Sequence, residues 1–277
     1  MNFRPSHFLA PLLAMLALAV AVRPARADTT LALRDGETLT YKVSWAVLPG
    51  AGEIKVAAQN DASGGTPQLK VKTTTTTKGL ARLLLKFDAE AESIFDAKTG
   101  RLLTLNESNR QNDKKASHKV TFDYAKSQAL YTPQSGDDAQ PRTLPMPAGD
   151  PMDLVTQLLQ TRSWDLKPGE KRDALVLFDD DFYELTIHAA RTEEVRTALG
   201  TFQTLVLEPR MDKTPPKGMF KKGSTVRVWI SQDDGRRLPV KFEVEFKIGT
   251  GVATLAQYQP PTGAETVNQQ VKVDPKK

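Results

Sequence analysis

The sequence predicts a mainly β fold: one large curved antiparallel sheet, a half-barrel or distorted barrel, with a single packed α-helix. Three observations carry this. Apolar side chains recur at every second position in many short runs. Glycine- and aspartate-rich turns punctuate those runs. Only one stretch shows convincing helical spacing.

In chain order, residues 1–27 come first. Arg4 and His7 precede an apolar run from Phe8 to Val22, and Ala25-Arg26-Ala27 has the small-x-small form of a cleavage site. The run is shorter than the roughly 20 residues that span a bilayer, so it reads as a secretory signal peptide and Asp28 as the mature N-terminus. With no cysteine anywhere, lipidation at the cleavage site, disulfides and thiol chemistry are excluded. The expected location is therefore the periplasm. Removing this segment takes away three arginines and no acids, so the formal charge falls from +5 to +2. The basic character gives no support to nucleic-acid binding.

Rows of alternating residues follow. Leu39, Tyr41, Val43, Trp45 and Val47 form the first. Phe87, Ala89, Ala91, Ser93 and Phe95 form a second, with small side chains at its centre. Tyr183, Leu185 and Ile187 form a third, and Val226, Val228 and Ile230 a fourth, with Arg227 and Trp229 opposite. The clearest is Leu238, Val240, Phe242, Val244, Phe246 and Ile248, interleaved with Lys241, Glu243, Glu245 and Lys247. Residues 252–258 return after a Gly-Thr-Gly turn, and about a dozen strands are expected. The helix is expected over residues 151–162, with Asp150 as N-cap and Pro151 at the first helical position. Residues 79–85 read as a second short helix or as the start of a strand. Residues 28–258 are expected to form one domain, with the proline-rich stretch 133–150 as the seam between two halves. Residues 259–277 read as a disordered tail.

The search for chemistry is mostly negative. His118 and His188 stand far apart, and no nucleophile elbow, P-loop or dinucleotide fingerprint occurs. No cofactor and no metal is expected, and an enzyme is the weaker expectation. Asp179–Asp181 and Asp233-Asp234 could serve as carboxylate pairs for polysaccharide chemistry, but both fit hairpin turns. Residues 210–223 set Lys221 and Lys222 beside Met219 and Phe220, which suits an anionic lipid surface or an amphiphile. The row Ala89, Ala91 and Ser93 leaves volume on a core-facing strand, for the helix or for an apolar ligand. Trp229, Arg236 and Arg237 combine an indole with two guanidiniums, a candidate recognition patch.

The segment Val226-Arg227-Val228-Trp229-Ile230-Ser231, followed by Arg236-Arg237-Leu238-Pro239-Val240, resembles the exported bacterial family called domain of unknown function 3108. Gly36–Tyr41, Phe122-Asp123-Tyr124, Asp153-Leu154 and Leu199–Phe202 agree with it, over most of residues 30–258. The resemblance implies a periplasmic β-rich domain and, loosely, the half-barrel of lipoprotein carriers; it implies no catalytic residues. The expected function is non-enzymatic binding or carriage of an amphiphilic envelope component. The alternatives are an enzyme or accessory protein acting on polysaccharide and a structural partner-binding module.

Overall fold

A computed structural model describes residues 30–62, 65–135, 140–221, 224–233, 235–246 and 249–263. The signal segment, Lys222, Asp234 and the far C-terminus lie outside these. The strands are β1 (Thr38–Trp45), β2 (Leu48–Asp61), β3 (Gln68–Thr77), β4 (Phe87–Asp96), β5 (Leu102–Gln111), β6 (Lys114–Asp123), β7 (Gln128–Pro133) and β8 (Arg142–Pro145). After these come β9 (Met152–Asp153), β10 (Lys171–Phe178), β11 (Asp181–Thr197), β12 (Gly200–Arg210), β13 (Thr225–Ser231), β14 (Pro239–Phe246) and β15 (Gly249–Gln259). Two helices interrupt them, α1 (Gly79–Leu84) and α2 (Leu154–Gln160).

All fifteen strands belong to one sheet, ordered β8-β7-β6-β5-β4-β3-β2-β1-β15-β14-β13-β12-β11-β10-β9. Every pairing is antiparallel except β9 with β10. Because consecutive strands pair, the turns alternate between two ends of the sheet. The β1–β2, β3–β4, β5–β6, β10–β11, β12–β13 and β14–β15 connections share one of them, called the upper end below.

Residues 146–151 join β8, the sheet's first edge, to β9, its last, so the end of the proline-rich stretch is a bridge between edges. Those edges are brought together by polar contacts. Arg142 on β8 pairs with Asp180 in the β10–β11 turn at 2.6 Å, and the Tyr131 hydroxyl donates to Asp179 at 3.4 Å. Arg101 pairs with Asp150 at 3.1 Å. These are side-chain contacts without backbone pairing, so they bring the edges together while the sheet itself stays open.

The cross-strand register explains what the roll encloses. Ala58, Val71, Ser93, Leu105, Val120 and Tyr131 are successive partners across β2 to β7 and all are buried. Facing them is α2, in which five consecutive residues, Thr156–Gln160, are buried. A helix buried on all sides is a plug and not a surface cover. Leu159 joins the main core with Leu39, Tyr41 and Phe95, while Leu158 joins Ile187, Leu205, Val228 and Ile230.

The helix boundary differs from the expected one. Its N-cap is Asp153, whose Oδ1 accepts from the Thr156 amide at 2.9 Å, and residues before it run as β9 beside Val176 and Leu177. Asp150 and Pro151 lie outside the helix because the chain first pairs with β10. Burial also departs from strict alternation. Val47 is 91% exposed because β1 ends at Trp45 and Val47 occupies the hairpin tip. Phe242 and Val244 are only half-buried, and Glu243 is half-buried too, held between Arg227 at 2.8 Å and Lys241 at 2.9 Å. Those cations outweigh burial and hold the Glu243 carboxyl below its usual range.

Candidate functional site

The inner face is filled at one level and opens toward the upper end. One row above the buried one, Val56, Thr73, Ala91, Glu107 and His118 are cross-strand partners, and Ala91 is only half-buried. One row higher, Ile54, Thr75 and Ala89 are half-buried, and Asn109 and Ala116 are exposed. The small-residue row therefore has two fates. Ser93 is taken by the plug, its hydroxyl donating to Asp153 Oδ2 at 2.7 Å. Ala89 and Ala91 lie beyond it toward the upper end and are half-buried.

The lip of this end carries exposed apolar side chains. Leu80 is 68% exposed, Leu83 80% and Leu84 79%, with Val47 at the neighbouring hairpin tip. No residue of α1 is buried. A six-residue helix cannot persist on propensity alone, and polar fixings hold this one. Lys78 donates from its amide to the Ala51 carbonyl at 2.8 Å, and Arg82 makes two bonds of 2.8 Å to Asp88. The Asp88 carboxyl is held low by that guanidinium. Gly79 enters the helix at φ +54°, where a Cβ would meet the Gly50 carbonyl at 3.4 Å. Lys78, Arg82 and Lys86 flank the leucines. The spacing Leu80, Leu83, Leu84 is the i, i+3, i+4 pattern of an apolar helix face, the signal in the sequence that marks this lip.

The other sequence candidates are dispersed. Met219 and Phe220 are half-buried, and Phe220 packs beside Tyr183 with ring centroids 6.1 Å apart, so this part of the loop folds back on the core. Lys221 is exposed, in a connection at the upper end. Trp229 is 2% exposed under the Lys241 ammonium, 4.0 Å from the ring centroid. Arg236 lies over Tyr258, 5.6 Å from its ring centroid. Arg237 reaches the end of the plug, donating to the Arg162 carbonyl at 2.8 Å and the Trp164 carbonyl at 2.5 Å. Trp229 is thus a core residue and Arg237 a clasp, and the two do not form a shared patch.

The aspartates are engaged as well. Asp179 and Asp180 face the opposite edge, Asp181 pairs with Lys217, and Asp233 accepts from the Gln203 amide at 3.0 Å. His118 meets Glu107 at 3.0 Å and His188 meets Asp212 at 2.6 Å. Among the described residues no group of three or more potential metal ligands converges. A groove of about 390 Å³ crosses β3 to β6 toward the upper end, lined by Thr74, Thr76, Ala89, Glu90, Asn109 and Ala116 among others.

Residues 40–256 match the family described as "Protein of unknown function (DUF3108)". The chain belongs to that family. No curated protein matches it. The DUF3108 fold is similar to a crystal structure of a β-barrel-like DUF1849 protein from Brucella abortus, with TM-score 0.52 and 8% identity over 82% of this chain and 98% of that one. A candidate lipoprotein from Parabacteroides distasonis aligns at TM-score 0.32 and 11% identity over 84% of this chain and 100% of the other, too low to bear on the argument.

Proposed function

We propose that this DUF3108 protein works in the cell envelope as a non-enzymatic binder or carrier of an amphiphile, engaging it at the upper end. The observation that carries the reading is the lip: Leu80, Leu83, Leu84 and Val47, 68–91% exposed, clustered at the upper end of the sheet. Leaving such side chains in water forgoes about 1.5–3 kcal/mol each relative to burial, and clustered exposure of this kind marks a contact surface. Lys86 beside the leucines suits an anionic head group, while Lys78 and Arg82 are held by Glu53 and Asp88, and Ala89 and Ala91 present small side chains to an acyl chain.

The test is co-sedimentation with vesicles of phosphatidylethanolamine and phosphatidylglycerol, alongside binding of a fluorescent fatty acid. Leu80→Ser, Leu83→Ser and Leu84→Ser combined should weaken vesicle binding at least about tenfold while leaving the melting temperature near wild type, because these positions are exposed. Ala91→Leu should weaken fatty-acid binding by filling the groove. Wild type binding neither probe, or the triple variant binding vesicles as wild type does, would defeat the reading.

A further inference from the structure

A second cavity, of about 300 Å³, lies away from the lip, between α2 and the last full strand of the sheet. Gln157, Trp164, Arg172 and Ala174 contribute to its wall. Gln157 is 4% exposed, and its carboxamide makes no hydrogen bond among the described residues. Gln157 lines the cavity, so its unpaired carboxamide is held on a nearly buried side chain and is available there to a ligand.

One turn further along α2, Gln160 is equally buried at 4% and shows what such a group does here. Its Nε2 donates to the Thr30 carbonyl at 2.8 Å, and its Oε1 accepts from the Ala32 amide at 2.9 Å. The side chain reads an extended peptide backbone through both of its functions. Beside Gln157 the sheet offers a second element of the same recognition. β10 pairs with β11 along Lys171–Phe178, but β9 covers only Val176 and Leu177 on its other side. Among the described residues, Lys171–Leu175 therefore present an open strand edge next to the cavity. Addition of an extended segment to such an edge is an established mode of peptide recognition. A sugar is less well served, since Arg172 lies 4.6 Å from the centre of the Trp164 ring and occupies the face on which a pyranose would stack.

We infer that this cavity binds a short extended peptide, two or three residues long, whose backbone amide pairs with Gln157 while the segment lies along the β10 edge. The site is separate from the lip and stands or falls independently of the amphiphile reading. The probe is the neutral blocked tripeptide acetyl-Ala-Ala-Ala-amide, titrated into the ¹⁵N-labelled protein while the side-chain amide signals are followed. The Gln157 amide should shift saturably and by more than that of Gln160, which lines the same cavity but is already bonded to Thr30 and Ala32. Gln157→Leu, which removes a buried polar group and should fold, is expected to weaken binding about tenfold. Gln157→Glu, which keeps the acceptor and loses the donor, should fall between. No shift at several millimolar peptide would overturn the inference. So would unchanged affinity in Gln157→Leu, or a shift produced by maltose or laurate and not by the peptide.

Discussion

Arg162→Met should be among the most damaging single substitutions in this chain. Arg162 follows the plug helix, and its Nη1 lies 2.8 Å from Glu37 Oε1. Glu37 is fully buried and the Arg162 side chain is 11% exposed, so solvent screens the pair little. Glu37 otherwise has the Tyr258 hydroxyl at 3.1 Å and the Arg34 amide at 3.2 Å. These are two neutral donors against a full negative charge. Removing one partner of a buried ion pair costs about 3–5 kcal/mol, because the other is left desolvated and uncompensated. At roughly 2–4 °C per kcal/mol for a chain of this size, the melting temperature should drop by roughly 6–20 °C. Replacing the charge as well, in Arg162→Met with Glu37→Gln, should recover part of the loss, since the remaining amide can still accept from Tyr258. Differential scanning calorimetry of the two singles and the double supplies the cycle. A drop under about 3 °C for Arg162→Met, or a double that costs the sum of the singles, would refute the reasoning.

Other consequences are as direct. Ser93→Ala strips a donor from the buried capping carboxylate of Asp153 and should cost about 1–3 kcal/mol by urea titration. Phe242→Ala should cost about 1.5–3 kcal/mol, below a full core truncation, because the ring is half-buried, and Glu243→Ala about 0.5–1.5 through its two cations. Burial, with Glu37 adding to it, pushes the Tyr258 phenol up to about 12. An unfolded tyrosine ionises near 10, so this contribution is intact below about pH 10 and is lost as pH rises toward 12. The urea midpoint should fall across that window, and less steeply in Tyr258→Phe. Mass spectrometry of protein from osmotic-shock fluid should find Asp28 as the first residue; an intact N-terminus in the membrane fraction would contradict export.

The sheet was legible because alternation is a local property. Leu39 with Tyr41, Leu185 with Ile187, and Val228 with Ile230 lie buried on the side their spacing predicts. Two kinds of information were not local. The plug role of α2 depends on Ser93 accepting Asp153 as a neighbour 60 residues away, and nothing in residues 151–162 distinguishes a helix inside a roll from one lying on it. Trp229 misled for a related reason. It alternates with Val228, which on a one-sided sheet would place it in solvent, but β13 is buried on both faces. Leu80, Leu83 and Leu84 have helical spacing, but spacing does not say whether an apolar face looks inward, and here no residue of α1 does.

That last point bears on how the molecule is organised. Among the described residues, the long-range polar fixings of the plug act below Ala89 and Ala91. Asp153 holds Ser93, Gln160 holds the backbone at Thr30 and Ala32, Arg162 holds Glu37, and Arg237 grips the carbonyls that end the helix. Above them, the half-buried Ala89 and Ala91 and the exposed leucines of α1 have no comparable covering among the described residues. A fold that spends its buried charges on fixing one end can leave the other apolar and open without losing its packed core. This division predicts separable phenotypes. Substitutions at Arg162 or Ser93 should lower stability and reduce ligand binding only through unfolding, whereas those at Leu80, Leu83 and Leu84 should remove vesicle binding at unchanged stability. Finding both effects in either group would show that the two ends are one cooperative unit and that the lip is part of the fold's support.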